Sequence, residues 1–411
     1  MGSPASSFQW LAAILAGLVL SGPGAAQQPD ESTVPATSVP GATSPRIHAD
    51  GRVTFMLHAP GAGSLALEGG DGLGKGPFPM TKDAEGTWSV TIAPPVPGFH
   101  YYWFLLDGVQ VNDPASETYF GYGRETSGIE IPEPGAGYYA MTAVPHGIVR
   151  EHWYYSKTTG AWRRALVYTP PGYDRDTRRH YPLLILQHGS GEDETGWTRQ
   201  GRAQSILDNL IAARHALPMI VVMDRGYARR PGMPVFALGP ATTNGELDAA
   251  FGAFEDVVIH DLIPAIDASY RTIPDRDHRA LAGLSMGGMQ ALRIGLHHLD
   301  EFAWIASFSG PFLRSAEPAA QVLPSMLGPF DPKTAYGGAF ADPAKLNARL
   351  RLLFIGVGTA EPDLFHQSIG GAVETLRRSG VELTWFESQG TAHEWQTWRR
   401  DLYALAQRLF Q

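Results

Sequence analysis

The sequence predicts an α/β fold, built on a mostly parallel sheet with helices on both faces, that follows a small all-β sandwich. Two observations predict it. Short strand patterns separated by Gly and Pro turns occupy residues 46–132, and strand and helix patterns alternate from about residue 151 onward. The length of 411 residues also favours two domains, since a domain typically has roughly 100–200 residues.

The amino-terminal segment predicts export. Residues 10–20 form an uninterrupted run of apolar and small residues, followed by small residues up to Ala26. Such a run is shorter than the roughly twenty residues that cross a bilayer, and it is typical of a signal peptide. We expect residues 1–26 to be a signal peptide and the protein to be secreted or periplasmic. Residues 27–45, rich in Pro, Ser, Thr, Ala and Gly, are predicted to be a flexible linker.

The segment that follows has the period of two that is typical of strands. Asp107 and Gly108 mark a tight turn between two of them. Strands are predicted at residues 53–57, 65–67, 88–92, 100–106 and 109–111. We therefore predict an antiparallel sandwich over residues 46–133, joined by a connector over residues 134–150 to the second domain.

The second domain, residues 151–411, alternates buried strands with helices. Strands are predicted at residues 165–168, 182–186, 218–223, 279–282, 302–308, 352–357 and 383–387, and helices at residues 203–213, 254–270, 289–297 and 371–379. This alternation indicates a mostly parallel sheet covered on both faces. In such sheets the active residues lie on loops at the carboxyl ends of the strands.

The composition excludes several functions. The chain has no cysteine, so disulfides, thiolate metal sites and a cysteine nucleophile are excluded. Its formal net charge is −9 and it has no long basic run, whereas nucleic-acid binding depends on neutralising phosphates. We expect no nucleic-acid partner and no integral membrane span after signal cleavage. The chemistry inferred below needs no metal and no cofactor, and the oligomeric state is not predicted.

Ser285 stands in a Gly-x-Ser-x-Gly pattern between a predicted strand and a predicted helix. Glycines on both sides of the serine relieve crowding at a sharp strand-to-helix turn that exposes the hydroxyl. On its own the pattern also describes a tightly packed turn with a capping serine. Its interpretation as a nucleophile therefore depends on finding the serine's partners.

A serine nucleophile needs a histidine base and a carboxylate that orients it, in the chain order serine, acid, histidine. His393 lies in the loop directly after the last predicted strand, which is where the base belongs. The loop after residues 352–357 offers two acids. Glu361 is nearer the strand end and is preferred, whereas Asp363 is suited to capping the next helix. Both remain open.

An oxyanion needs two backbone N–H donors. The residue after the nucleophile, Met286, supplies one, and Ser190 in the loop after residues 182–186 is our candidate for the other. Candidate walls for an aromatic acyl group, and so for substrate binding, are Trp197, Tyr227 and Trp395.

Three separated stretches together resemble one family. They are residues 188–194 (His-Gly-Ser-Gly-Glu-Asp-Glu), residues 283–288 and residues 393–395 (His-Glu-Trp). They resemble the esterase family of α/β-hydrolases that holds the feruloyl and acetyl xylan esterases of carbohydrate esterase family one, with enterochelin esterases as relatives. The resemblance implies an α/β-hydrolase fold. It also implies feruloylated or acetylated polysaccharides or oligosaccharides as substrates. The family's acid is commonly an Asp at the position that Glu361 occupies, so Asp363 stays open.

The first domain has a resemblance of its own. Residues 53–55, 79–82, 86–88 and 104–114 resemble the immunoglobulin-like domains that precede such esterases and glycogen-branching enzymes. Such a domain binds glucan in some enzymes and only packs against the catalytic unit in others. Tyr101, Tyr102 and Trp103 are candidates for stacking on sugar rings, or for a core in which alternate positions are buried.

The sequence therefore predicts a serine esterase, with a feruloyl esterase favoured and an acetyl xylan esterase as a variant of it. A second hypothesis is hydrolysis of a trilactone siderophore of the enterochelin type. A third, from another class, is an inactive carbohydrate-binding protein on a hydrolase scaffold. The complete set of serine, acid and histidine counts against the third hypothesis, because binding alone does not need it.

Overall fold

The structure, a computed structural model, describes residues 31–236, 238–314, 318, 320–326 and 328–411. The predicted signal peptide, residues 1–26, lies outside this part of the chain. Of the helices within it, none is both long and apolar enough to cross a membrane.

Two antiparallel sheets form the amino-terminal part of the described chain. Their strands are β1 (Arg46–Ile47), β2 (Val53–His58), β3 (Leu65–Gly69), β4 (Phe78–Pro79), β5 (Thr81–Lys82), β6 (Thr87–Ile92), β7 (Gly98–Leu106), β8 (Val109–Val111), β9 (Thr118–Gly121) and β10 (Arg124–Ile131). One sheet has the order β1-β2-β6-β5. The other has the order β4-β3-β7-β10-β9, and β8 pairs with β7.

Apolar side chains from both sheets meet in one core. Val53 and Phe55 of β2 are fully buried two residues apart, as the predicted period of two requires. The sequence did not predict β10, because polar residues occupy part of its buried surface. Ser127, for example, is fully buried, and its hydroxyl accepts a hydrogen bond of 2.7 Å from the Asp113 amide.

The three aromatic residues considered for sugar stacking are all buried, because both faces of β7 are covered. Tyr102 packs in the core between the two sheets, and Tyr101 packs against the second part of the chain. Trp103 is 6% exposed, and its Nε1 donates a hydrogen bond of 2.8 Å to Glu68. These rings therefore do not form an open stacking surface.

Residues 31–45 differ from the predicted linker, since they lie against the sandwich. Thr33 exchanges two backbone hydrogen bonds of 2.8 Å with β1, and the Glu117 amide donates one of 2.9 Å to the Thr37 carbonyl. Thr37 is 2% exposed. These contacts run mostly through the backbone, so the Pro- and Ser-rich composition gave no sign of them.

The second part of the chain is built on an eight-stranded sheet. Its strands are β11 (Ile148–Ser156), β12 (Ala161–Thr169), β13 (Leu183–Gln187), β14 (Ile220–Asp224), β15 (Arg279–Leu284), β16 (Trp304–Phe308), β17 (Leu352–Gly358) and β18 (Thr384–Ser388), in the order β11-β12-β14-β13-β15-β16-β17-β18. β11, β12 and β14 pair antiparallel, and every pair from β14 to β18 is parallel.

Helices cover both faces of this sheet. They are α1 (Gly196–Arg199), α2 (Ala203–Ala212), α3 (Asn244–Asp256), α4 (Ile263–Ser269), α5 (Met286–His297), α6 (Val322–Met326), α7 (Pro343–Arg349), α8 (Asp363–Arg378) and α9 (Trp395–Ala406). α2 and α9 pack on one face, and α3, α4, α5 and α8 pack on the other. The result is a three-layer α/β domain whose parallel strands bring the predicted catalytic loops to one edge.

Three helices begin earlier than the sequence predicts, and α5 differs least, since it begins at Met286 and not at residue 289. The helix predicted over residues 254–270 begins with α3, where Thr243 and Glu246 form a reciprocal capping box, and continues through the π-helical turn Val257–Leu262 into α4. The helix predicted over residues 371–379 begins at Asp363. Gly245 weakens the apolar periodicity in the first turn of α3, and Gly370 and Gly371 interrupt it in the middle of α8, which explains the late predicted starts of these two helices.

A buried ion pair joins the two parts of the chain. The guanidinium of Arg399, on α9, is fully buried and makes two hydrogen bonds of 2.7 and 2.9 Å to the carboxylate of Glu130, on β10. Burial alone would raise the pKa of Glu130, but the Arg399 charge outweighs it and the pKa is lowered. The pair is therefore ionised at neutral pH, and each charge depends on the other.

We predict that Glu130→Gln lowers the free energy of unfolding by about 3 kcal/mol, because it leaves the buried Arg399 charge without its counterion. The measurement is urea unfolding followed by tryptophan fluorescence. The matched control is Glu117→Gln, whose pair with Arg199 is exposed and should contribute less than about 1 kcal/mol. Equal losses of unfolding free energy in the two variants would show that the buried Glu130–Arg399 pair stabilises the protein no more than an exposed pair does.

Candidate active site

A sharp turn between β15 and α5 carries Ser285. Its backbone has φ of +50° and ψ of −114°, a combination that residues other than glycine rarely adopt. The Ser285 amide is held by the Phe308 carbonyl of the neighbouring strand at 2.7 Å. The strained turn places the hydroxyl at the carboxyl edge of the sheet, directly before the first turn of α5.

Three glycines make this turn possible, because side chains at their positions would collide with the backbone or with a neighbour. A Cβ atom at Gly283 would lie 2.5 Å from the Gly287 carbonyl group. One at Gly287 would lie 2.5 Å from the His188 carbonyl oxygen, and one at Gly288 would lie 2.5 Å from Ser307 Oγ. The glycines therefore allow β15 and α5 to pack closely against the adjoining strands.

His393, in the loop between β18 and α9, lies between Ser285 and Glu361. Its Nε2 is 3.0 Å from Ser285 Oγ, and its Nδ1 is 2.8 Å from Glu361 Oε2. A proton on Nδ1 donates to the carboxylate, which leaves Nε2 to accept the proton of the serine hydroxyl. This is the geometry that nucleophilic acyl transfer by a serine requires.

The structure brings Glu361, and not Asp363, to the histidine. Glu361 is 6% exposed. Its second oxygen, Oε1, accepts hydrogen bonds from the Ser309 hydroxyl at 2.5 Å and from the Gly358 amide at 2.8 Å. Asp363 is exposed and begins α8. Two donors hold one oxygen of the Glu361 carboxylate, and the second oxygen accepts from His393. The carboxylate is therefore already oriented toward the histidine.

Two aromatic rings fix the plane of the His393 imidazole. Phe365 stacks on it with ring centroids 3.9 Å apart and planes 22° apart, and Trp398 meets it edge-on at 5.2 Å. Trp398 Nε1 also donates to Ser309 Oγ at 3.1 Å, the hydroxyl that holds Glu361. Sequence reasoning missed the roles of Phe365 and Ser309, because both depend on contacts between elements far apart in the chain.

The loop after β13 and the start of α5 each supply one candidate oxyanion donor. Ser190 lies in this loop beside Ser285, and Met286 begins α5, where backbone N–H groups have no partner within the helix. The next amide, that of Gly191, is already used, since it donates a hydrogen bond of 2.6 Å to the Tyr227 hydroxyl. The structure thus keeps Ser190 and Met286 as the candidate donors.

Two buried titratable groups stand behind this loop. Nε2 of His188 accepts the Gly226 amide at 2.8 Å, and burial lowers the pKa of this histidine to about 4, so it stays neutral. Glu192 accepts hydrogen bonds from the Gly189 amide at 3.1 Å and from the Tyr101 hydroxyl at 3.0 Å. Burial raises the pKa of Glu192 to about 7. His188 therefore supports the loop rather than acting as a base.

Ser285 and His393 line a cavity of about 230 Å³. Its aromatic walls come from both parts of the chain and are Phe99, Tyr101, Tyr122, Trp395 and Trp398. Tyr122 stands at the tip of the β9–β10 hairpin, and the amide of its neighbour Gly123 donates to the Gly191 carbonyl at 2.8 Å. The hairpin is therefore attached to the candidate oxyanion loop.

The three predicted wall residues have different places. Trp395 borders the cavity beside Ser285, although it is only 1% exposed. Trp197 does not reach it: the side chain is 1% exposed, packs edge-on against Trp395 at 5.4 Å and donates to the Gln187 carbonyl. Tyr227 lines a neighbouring groove and contacts the loop through its hydroxyl. Trp197 is thus a core residue, because neighbouring side chains cover its ring and the Gln187 carbonyl satisfies its N–H.

Comparison with known proteins gives a family match. The sequence matches the family described as "Putative esterase" over residues 156–409, which is more than half of the chain. It is 36% identical over 390 residues, or 93% of this chain, to an endo-1,4-beta-xylanase/feruloyl esterase of Xylanibacter ruminicola. It spans only 48% of the length of that relative.

Solved structures have the same fold. A CE1 ferulic acid esterase from Anaeromyces mucronatus, in complex with ferulic acid, matches with a TM-score of 0.55 and 22% identity, over 68% of this chain and 96% of that one. The enterobactin esterase of Shigella flexneri matches with a TM-score of 0.60 and 18% identity, over 87% and 93%. At these identities the likeness shows the α/β-hydrolase fold alone.

We predict that Glu192 makes the protein less stable as the pH rises. Its pKa in the folded state, about 7, lies above the usual 4.5, so folding favours the protonated form. The penalty for ionising it is absent below pH 4.5, grows between pH 4.5 and 7, and levels off above pH 7 at up to about 3 kcal/mol.

The measurement compares the free energy of unfolding at pH 5 and pH 8 in the original protein and in Glu192→Gln. Between pH 5 and pH 8, we expect the free energy of unfolding of the original protein to fall by about 2 kcal/mol more than that of the variant. Identical pH slopes would show that Glu192 does not titrate as described.

Proposed function

The chain belongs to the "Putative esterase" family, and we propose that it cleaves feruloyl esters of plant cell-wall polysaccharides. The family and its relatives make it a serine carboxylic ester hydrolase.

In the first step, Ser285 attacks the ester carbonyl while His393 Nε2 accepts the hydroxyl proton. Glu361 holds the imidazolium that forms, since its carboxylate already accepts from Nδ1 at 2.8 Å. The amides of Met286 and Ser190 stabilise the negative charge on the carbonyl oxygen. The tetrahedral intermediate collapses when His393 gives its proton to the departing sugar hydroxyl.

In the second step, water takes the place of the alcohol. His393 accepts a proton from the water as its oxygen attacks the acyl-enzyme, and then returns a proton to Ser285 Oγ. Ferulate leaves, and the serine is restored. The two steps use the same three side chains in the same places, and they need no redox change.

One observation carries the choice of substrate: Ser285 opens into a small cavity with aromatic walls. Its volume of about 230 Å³ is below the roughly 300–1,000 Å³ of pockets for drug-sized ligands. This volume suits a single phenolic acyl group. The ring of Tyr122, which is 57% exposed, can pack against such a group, whereas an acetyl group is too small to use an aromatic wall. The 36% identity to a xylanase/feruloyl esterase agrees with this choice.

A trilactone siderophore fits the cavity less well. Its iron complex is anionic, and the described residues that line the cavity include Glu192 and Glu394 but no Lys or Arg. An inactive binding protein would not need the hydrogen-bonded Ser285, His393 and Glu361. We therefore retain the feruloyl ester as the proposed substrate class.

The test assays the purified chain in parallel with methyl ferulate, acetylated xylan and ferric enterobactin. We expect ferulate release to have the highest kcat/KM, because only this acyl group fills the aromatic cavity. Fast trilactone cleavage without ferulate release would contradict the proposal, and so would acetate release alone.

We predict that Glu361→Gln lowers kcat for methyl ferulate roughly 10³–10⁴-fold, because an amide cannot stabilise the imidazolium and favours the wrong tautomer. Asp363→Asn is the matched control and should leave kcat unchanged, since Asp363 is exposed at the start of α8. Steady-state measurement of kcat for both variants at one pH shows which of the two carboxylates is the acid. A large loss in Asp363→Asn together with an active Glu361→Gln would reverse the assignment.

We further propose that residues 46–133 form an immunoglobulin-like domain that shapes the acyl cavity, because Tyr101 and Tyr122 belong to its walls. We also propose that residues 1–26 direct secretion to the periplasm or beyond. Expression of the full chain followed by mass spectrometry of the exported protein should show a new amino terminus at Gln27. A protein retained inside the cell with an intact leader would contradict export.

A further inference from the structure

A second and larger concavity lies beside the active site. It has a volume of about 930 Å³ and is bounded by the β11–β12 hairpin on one side and by residues 225–236 on the other. Tyr227 and Met286 form its inner end. Both adjoin the catalytic centre, because Met286 follows Ser285 and the Tyr227 hydroxyl holds the Gly191 amide. We call this concavity the outer groove.

The hairpin presents exposed aromatic rings along the outer groove. Trp153 and Trp162 line it, with exposed fractions of 55% and 66%. Tyr155, 52% exposed, pairs with Trp162 across the two strands and meets it edge-on at 5.8 Å. A cluster of large exposed rings on one face of an edge hairpin marks a candidate interaction surface. Flat apolar rings of this kind match the faces of sugar rings.

The opposite wall of the outer groove carries positive charge. Arg225 and Arg229 are exposed there, and neither makes an ion pair with a residue in the described part of the chain. Arg163 and Arg230, by contrast, are paired with Asp224 and Asp256. In a chain with a formal net charge of −9, two guanidinium groups without carboxylate partners favour a ligand that brings carboxylates of its own.

We propose that the outer groove binds the main chain of an acidic xylan next to the ester that is cleaved. Sugar rings stack on Trp153 and Trp162, and uronic acid side groups pair with Arg225 and Arg229. The inference rests on the proposed function, because it assigns the polysaccharide part of the same substrate. A second copy of this chain is a weaker candidate for the groove, since a chain with this net charge is repelled by its own copy.

The first measurement is native affinity electrophoresis in gels that contain de-esterified glucuronoxylan or the same polymer with its carboxyl groups reduced. We expect the protein to be retarded by both polymers, and more strongly by glucuronoxylan. Because neither gel contains an ester, this result does not depend on ferulate hydrolysis. If the protein releases ferulate but is not retarded, the outer groove does not bind xylan, and the proposed esterase activity is unaffected.

Two double variants separate stacking from charge. Trp153→Ala with Trp162→Ala should raise the dissociation constant roughly tenfold or more for both polymers. Arg225→Gln with Arg229→Gln should remove the preference for glucuronoxylan and leave binding to the reduced polymer. The control, Arg377→Gln with Arg378→Gln on the exposed surface of α8, changes the net charge equally and should bind as the original protein does.

The same variants are then compared on feruloylated glucuronoxylan and methyl ferulate. The ratio of kcat/KM for the polymer to kcat/KM for the small ester should fall roughly tenfold in the tryptophan variant. Retardation of both double variants equal to that of the original protein would overturn the inference. Size-exclusion chromatography showing a dimer that the tryptophan changes convert to a monomer would also overturn it, because the groove would then be a contact between copies.

Discussion

The active site depends on one steric constraint, the reversal of the chain at Ser285 between a strand and a helix that leave no room for side chains. Glycines at positions 283, 287 and 288 allow the approach, since a Cβ atom at any of them would meet an atom 2.5 Å away. The unusual backbone of Ser285 is the consequence. It places the hydroxyl where His393 reaches it and where the start of α5 offers its amides to a developing negative charge.

The sandwich contributes to this site through buried polar contacts as well as through the cavity wall. The Tyr101 hydroxyl, on β7, donates to Glu192 and accepts from the Gln200 amide at 2.7 Å. Glu192 in turn holds the Gly189 amide of the candidate oxyanion loop. A polar network of this kind is rigid only while all of its members are paired. The position of the loop therefore depends on how the sandwich packs against the domain built on the eight-stranded sheet.

The sequence was informative wherever one local rule decides the structure. The glycines around Ser285 and the position of His393 after the last strand are such cases, and both lie where they were expected. The acid was left open, because only the hydrogen bonds from Ser309 and Gly358 distinguish Glu361 from Asp363. Burial of Trp197, and the exposure of Trp153 and Trp162 on an edge hairpin, depend on which elements cover each ring. No local pattern contains that information.

Covalent labelling shows whether Ser285 is the nucleophile of an acyl transfer. The protein is treated with a fluorophosphonate, which reacts with activated serine hydroxyl groups, and the adduct is located by peptide mass spectrometry. We expect one adduct per chain, on Ser285, and no ferulate release once the adduct has formed. An adduct on another serine with loss of activity, or full activity with Ser285 labelled, would contradict this role of Ser285.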